Sequence, residues 1–312
     1  MTLALDFALA LLFLGLATWT IFARETFASV AGFLPYGLLL TAVWLRLAAI
    51  DVAMTEAAIG AGLTGVLLVG AAARLRSTEA AAAAERPRVL TRLLAAIVSI
   101  AVAGVVAVCV LLLPPSAPTL APEVVANIAA TGVGNPITAV LLSFRAMDTL
   151  LEAVVLLFAL IGVWSLAPDR AWGGRPGPAP VSDPNGTLTY LARVLPPIGI
   201  VVAVYILWVG ADDPGGKFQG ATILAAMWLL VLMAGLADAP PVSGRGLRTG
   251  LIIGPAIFIA IGCLGAVTAG AFLAYPQGHA KLWIIVIEVA LMPSLAITLV
   301  LLLVGAPQRA MT

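Results

Sequence analysis

The sequence predicts an all-α, polytopic membrane protein of about nine transmembrane helices. Three observations carry this. First, 62% of the 312 residues are hydrophobic and 10% are charged, where an ordinary soluble domain has roughly 45–50% and 25%. Second, the apolar residues form runs long enough to cross about 30 Å of hydrocarbon, not the short alternating segments of a membrane barrel. Third, Lys and Arg concentrate in alternate connections, as in the loops that stay on the cytoplasmic side. A soluble enzyme, a disordered tail and a nucleic-acid binder are excluded. The net charge of +1 provides no field for a charged macromolecule.

The runs are 3–22, 29–48, 51–74, 93–113, 136–166, 190–210, 219–237, 250–274 and 282–305. The first has no basic segment before it and no small-residue cleavage site after it, so it reads as a retained span. The fifth is too long for one straight crossing and begins at Gly134-Asn135-Pro136. It is expected to kink or to follow a short interfacial helix. Polar connections at 75–91 and 167–189 divide the chain into modules of three, two and four spans: 1–75, 90–166 and 188–306. Arg24, Arg74, Arg76, Arg86, Arg88, Arg92, Arg170, Arg175, Arg193, Arg245, Arg248 and Arg309 fall on one side of this arrangement. Arg46, Lys217 and Lys281 fall on the other. This bias places the N-terminus outside and the C-terminus in the cytoplasm.

Cys109 and Cys263 lie far apart inside apolar runs and read as buried small hydrophobes. No Cys/His cluster suggests a metal site, and no disulfide, iron–sulfur, haem, flavin or nucleotide motif is present, so no cofactor is expected. Gly250 and Gly254 form a Gly-x-x-x-Gly that reads as close helix packing rather than as a dimerisation face.

The informative residues are the charges inside the spans: Asp6, Asp51, Glu56, Arg145, Asp148, Glu152 and Glu288. A charge at the centre of a span costs roughly 2.5–3.5 kcal/mol on insertion scales, so these groups must be paired, protonated or hydrated. Arg145, Asp148 and Glu152 are spaced to share one helical face. Two carboxylates beside one arginine titrate as a coupled set; the alternative is a static ion pair between helices. Asp51 is expected to N-cap the third span. Glu56, among Thr55, Gly60 and Gly62, is expected in a relay or ion path, with pairing to Arg46 as the alternative. Glu288 has no charge partner within a turn of its own helix. Asp6 reads as interfacial. The turn Gly210-Ala-Asp-Asp-Pro-Gly-Gly-Lys217 has strong turn chemistry and reads as a packed hairpin docking a neighbouring subunit, ahead of an ion-binding turn.

Gly37-Leu-Leu-Leu with Ala49-Ile-Asp-Val-Ala-Met-Thr-Glu56 resembles the three-span module of Mrp-type cation/proton antiporters and of a small subunit of membrane-bound hydrogenases. Asn135-Pro-Ile-Thr-Ala-Val-Leu-Leu-Ser-Phe-Arg-Ala-Met-Asp-Thr-Leu-Leu-Glu152 resembles the C-terminal part of the large Mrp subunit. Gly210-Ala-Asp-Asp-Pro-Gly-Gly-Lys-Phe-Gln-Gly220, with Pro276-Gln-Gly-His and Trp283 to Glu288, resembles the MnhB family of Mrp antiporter subunits. The resemblance implies a membrane subunit of a multisubunit Na+/H+ antiporter in the cell inner (plasma) membrane, without catalytic chemistry of its own. It implies a proton/cation path through Glu56, Asp148, Glu152 and Glu288, Arg145 as charge partner, and Asp51, Lys217 and Asp6 as secondary candidates. The implied partners are other membrane subunits, Na+ and H+, and the bilayer, with no nucleic acid. A membrane-arm subunit of a redox- or enzyme-coupled ion-translocating complex, and a structural scaffold, are the competing readings.

Overall fold

The computed structural model describes residues 2–82, 89–114, 119–179, 181 and 183–310. Arg86 and Arg88, which contribute to the charge bias, lie outside the described residues. Among those described, eight helices are long and apolar enough to span a membrane, and the chain is a multi-pass membrane protein.

α1 (Thr2–Phe22) and α2 (Thr26–Arg46) fold back on each other. α3 starts as Ile50–Thr55, widens into a π-helical stretch at Glu56–Leu63 and continues as Thr64–Ala82. Gly60 and Gly62 lie in that stretch, where weak helix preference and the absence of side chains favour a bulge. α2 packs against it closely: a Cβ on Gly37 would lie 2.8 Å from that of Ala61.

α4 (Val89–Leu111) has no buried residue. Cys109 is accordingly exposed, as is Cys263, which corrects the expectation that both are buried. Each lies on a surface available to lipid rather than inside the bundle.

The expected fifth span is two helices with a third before them. α5 (Ala121–Thr131) ends at Gly132, whose φ of +70° suits glycine. The chain then bends by 88° into α6, which runs through Pro136–Ala139 and a π-helical stretch, Val140–Phe144. Asn135 caps α6 through its Oδ1, which accepts from the N–H of Ile137 at 2.8 Å. Arg145, at φ −131° and ψ 38°, breaks the helix before α7 (Ala146–Ser165). The hydroxyls of Thr149 and Tyr275 donate to the carbonyls of Leu141 and Leu142, at 2.7 and 2.6 Å. Groups freed by the break therefore do not go unsatisfied in lipid.

The last module contains α8 (Thr187–Val209), α9 (Lys217–Met233), α10 (Arg245–Thr268) and α11 (Ala280–Val304). α11 is its hub, packed against α7, α8, α9 and α10. Ile284, Ile287, Leu291 and Phe258 are fully buried in the main core. Gly254 meets α11 at Ala290, Leu291 and Ser294, and the Ser294 hydroxyl donates to the Gly250 carbonyl at 2.7 Å. The Gly-x-x-x-Gly is therefore internal helix packing, as its composition suggested. A two-stranded sheet, β1 (Arg175–Pro176) antiparallel to β2 (Pro307–Arg309), ties the 167–189 connection to the C-terminal segment.

Candidate functional site

Residues of α3, α6, α9 and α11 and of the turn before α9 meet at one polar junction. Its frame is the Gly210–Lys217 turn. Gly216, at φ +132°, turns the chain into α9 and brings Lys217 to the first position of that helix. The turn docks on this chain's own α6: Gly134 donates its N–H to the Asp212 carboxylate at 3.1 Å, Asn135 Nδ2 donates to the Asp213 carbonyl at 2.9 Å, and Thr138 Oγ1 donates to the Gly210 carbonyl at 2.6 Å. A packed hairpin is thus present, and within the chain the surface it docks on is α6. Lys281 grips Asp212 through both carboxylate oxygens at 2.7 Å. That ammonium holds the Asp212 carboxyl below the usual aspartate range, against some desolvation.

Asp51 joins the first module to the other two. It is not the N-cap of its helix, since Ala49 holds that position without a side-chain hydrogen bond. Instead its Oδ1 accepts from the N–H of Gly215 at 3.0 Å and from Asn135 Nδ2 at 3.3 Å. The turn outcompetes the helix end because it presents a free N–H directly to the carboxylate. One turn on, Thr55 Oγ1 accepts from Gln219 Nε2 at 3.0 Å.

Inside this frame lie Lys217 and Glu288, each with a side chain only 4% exposed and 3.9 Å apart. The Glu288 carboxylate lies beside Gly216 and Lys217, at the N-terminus of α9, where the helix dipole favours a negative charge. The Lys217 ammonium lies 4.9 Å from the ring centre of Phe218. The partner that Glu288 lacks on its own helix is therefore supplied by α9.

Two cavities flank Asp51. One, of about 320 Å³, is lined by Ala49, Asn135 and Asp213 and by Asp51 itself. The other, of about 210 Å³, is lined by Asp51, Thr55, Thr138, Lys217, Gln219 and Glu288. Asp51 thus stands between an outer space and the buried pair.

The remaining expected residues lie elsewhere. Glu56 is half-buried at the start of the π-helical stretch, with its carboxylate folded over Gly60, where a Cβ would collide with it. Among the described residues it has no ion-pair or hydrogen-bond partner. The alternative pairing to Arg46 does not form, because Arg46 grips Asp6 through Nε at 2.7 Å and Nη2 at 3.0 Å. Arg145 and Asp148 pair at 2.6 Å on the surface of α7, with side chains 70% and 49% exposed. Glu152 is exposed on the same helix and is not an ion-pair partner of Arg145, so the expected three-residue set is a pair plus a separate carboxylate. Asn135 and Gln219, which no single motif marked as functional, complete the junction. Their signal was position alone, beside Pro136 and after Gly215-Gly216.

A second charged group closes the opposite end of the last module. Arg309 donates to both Asp238 oxygens, at 2.9 and 2.6 Å, and holds that carboxyl below its ordinary range.

The MbhD family model, named for a subunit of MBH, matches residues 11–77, and one for a domain related to the MnhB subunit of Na+/H+ antiporter matches residues 187–307. No curated protein matches the sequence. Among solved structures, a chain of the Mrp complex from Dietzia sp. DQ12-45-1b is similar at 22% identity and a TM-score of 0.70, over 97% of this chain and 35% of that one. A chain of the membrane-bound sulfane sulfur reductase, an archaeal respiratory membrane complex, is similar at 23% identity and a TM-score of 0.56, over 69% of this chain and 98% of that one. This chain thus spans about a third of the length of the Dietzia chain. At these identities the likeness is one of fold. The chain thus carries one segment that matches the MbhD model and another that matches the MnhB-related model, in a fold similar to that of a chain of the Mrp complex.

Proposed function

We propose that the chain serves a multisubunit Mrp-type Na+/H+ antiporter in the plasma membrane, as a non-catalytic subunit that contributes part of a carboxylate-lined proton/cation path and contacts to other membrane subunits. The observation that carries this reading is the buried Lys217–Glu288 pair beside a cavity that Asp51 separates from a second, outer one. Ionisable groups at membrane depth mark ion and proton pathways. Here a basic and an acidic group face one polar space, so a proton can pass between them through water without either charge entering lipid. Glu56 adds a carboxylate with no partner of its own among the described residues, which must take a proton or water to reside in a span. Glu152, exposed on α7, supplies an exit toward that surface. Coupling of this route to Na+ belongs to the assembled complex.

The test is Glu56→Gln and Glu288→Gln in the complete complex, reconstituted in vesicles. Gln keeps the shape and removes the titrating proton. Proton-coupled antiport is expected to fall about 10²-fold, the lower scale of a positioned proton-transfer group, while the subunits still copurify. Unchanged antiport in both variants overturns the path. The membrane-arm reading rests on the fold shared with the sulfane sulfur reductase chain. It predicts that copurified partners include redox subunits.

A further inference from the structure

The first and last modules separate at the end of the bundle away from the junction. At Leu63, α3 still touches the cluster that α9 and α11 form around Ala225, Leu299 and Val300. The packing of α9 on α3 comes mainly from Ile50–Leu63. Beyond it the wall of α3 continues through Val66, Gly70 and Arg74, which recur every four residues on one face, and α9 diverges from them. The result is a groove of about 410 Å³ between Val66 and Gly70 on one side and Leu229, Met233 and Leu303 on another, with Pro176–Ala179 of the connection as a third wall. A Cβ built on Gly70 meets nothing within 4 Å, so the groove is open at that position.

Its mouth is basic. Arg74, Arg309 and Asp238 line it. Asp238 is held by Arg309, with Arg175 a further 3.6 Å away, so this carboxylate is more than balanced. Arg74 is exposed and pairs with no carboxylate among the residues whose side chains are described. The apolar stretch of α3 ends at Leu75, which puts Arg74 at headgroup level, on the side that the Lys/Arg bias assigns to the cytoplasm.

We propose that this groove is a binding site for one anionic phospholipid, with an acyl chain against Val66, Gly70 and Leu229 and its phosphate paired with Arg74. The apolar walls suit a chain entering from the bilayer, and basic pockets between helices at the cytoplasmic surface recognise anionic headgroups. Gly70 matters because any larger side chain takes the space of the acyl chain. The lipid fills the space between α3 and α9 beside the Pro176–Ala179 connection.

The test is native mass spectrometry of the purified complex in mild detergent, titrated with dioleoyl phosphatidylglycerol or with dioleoyl phosphatidylcholine. The complex is expected to retain one phosphatidylglycerol in preference to phosphatidylcholine. Arg74→Gln is expected to weaken that retention about fivefold, the worth of one basic residue near an anionic headgroup, and Arg74→Lys to preserve it. Gly70→Leu is expected to abolish retention of both lipids while the melting temperature of the complex stays measurable, which separates loss of the site from loss of the fold. Equal retention of the two lipids, or no change in Arg74→Gln, overturns the proposal. So does a cysteine at position 70 that cross-links to another subunit, since a protein would then fill the groove.

Discussion

Lys217 and Glu288 lie 3.9 Å apart with side chains 4% exposed, whereas Arg145 and Asp148 lie 2.6 Å apart with side chains 70% and 49% exposed. The shorter pair is the less protected one. Around Lys217 the chain itself supplies what a charge at membrane depth requires: an opposite charge, a helix N-terminus, an aromatic face and a polar cavity. On α7 it supplies only the i,i+3 partner, and the rest of that face is bare. A charge facing lipid costs most, roughly 2.5–3.5 kcal/mol, near the middle of a span; Arg145 and Asp148 stand at the start of α7, where both are exposed. The difference between the two regions is therefore one of ownership. The first is completed within the fold, and the second is not.

The largest effect is expected where the burial is complete. Lys217→Ala leaves Glu288 as an uncompensated buried group and is expected to destabilise the chain by about 3–5 kcal/mol. Lys217→Met combined with Glu288→Leu removes both charges and is expected to recover most of that loss. Thermal or denaturant unfolding in detergent measures both variants. A loss under about 1 kcal/mol for Lys217→Ala, the range of surface pairs, would erase the contrast with α7.

Much of the fold was legible because apolar run length is a direct physical signal in a membrane protein. What the runs could not show is where each helix faces. In a soluble helix the apolar stripe marks the core, but α4 and α11 are apolar all round and yet one has no buried residue while the other is the hub. The spacing of Arg145, Asp148 and Glu152 left open whether their side of the chain looks in or out, and it did not show that the helix breaks at Arg145. The break at Arg145 carries no local signal because no proline or glycine lies there; it is held by the hydroxyls of Thr149 and Tyr275, one of them distant in sequence. α5 left no span signal because Glu123 and Asn127 interrupt a helix of 11 residues, too short to cross a bilayer. The pairing of Glu288 with Lys217 depends on how α9 lies against α11, which no local pattern encodes. Asp51 looked like a helix cap because caps are local, and the turn that captured it comes from another module.

Asp51 gives a smaller test of the same boundary between what the chain completes and what it leaves open. Asp51→Ala removes the acceptor for the Gly215 N–H and for Asn135 Nδ2. Leaving those donors unsatisfied is expected to cost about 1–3 kcal/mol. Asp51→Asn retains an Oδ1 acceptor and is expected to cost well under half as much. Amide hydrogen exchange at Gly215 reads the effect locally: it should accelerate in Asp51→Ala and stay near the parent rate in Asp51→Asn. Equal protection in the two variants would mean that the turn is held by α6 alone, through Gly134, Asn135 and Thr138.

The smallest change in stability is expected at α7, and its smallness is the diagnostic. Arg145→Gln in the isolated chain breaks an exposed pair, and exposed pairs contribute about 0–1 kcal/mol, so its unfolding in detergent should barely shift. In the membrane the balance reverses. Gln at position 145 leaves Asp148 without its cation, so any protein that covers this face would have to bury an unpaired carboxylate, and recovery of copurifying subunits should fall although the chain itself is sound. Asp148→Asn together with Arg145→Gln removes both charges and should restore part of that recovery, because two amides can still hydrogen-bond across an interface. If Arg145→Gln instead unfolds the isolated chain as severely as Lys217→Ala, then the α7 face is completed from within. If it leaves both stability and assembly untouched, the pair contributes to neither, and Glu152 alone on that face keeps its claim to the path.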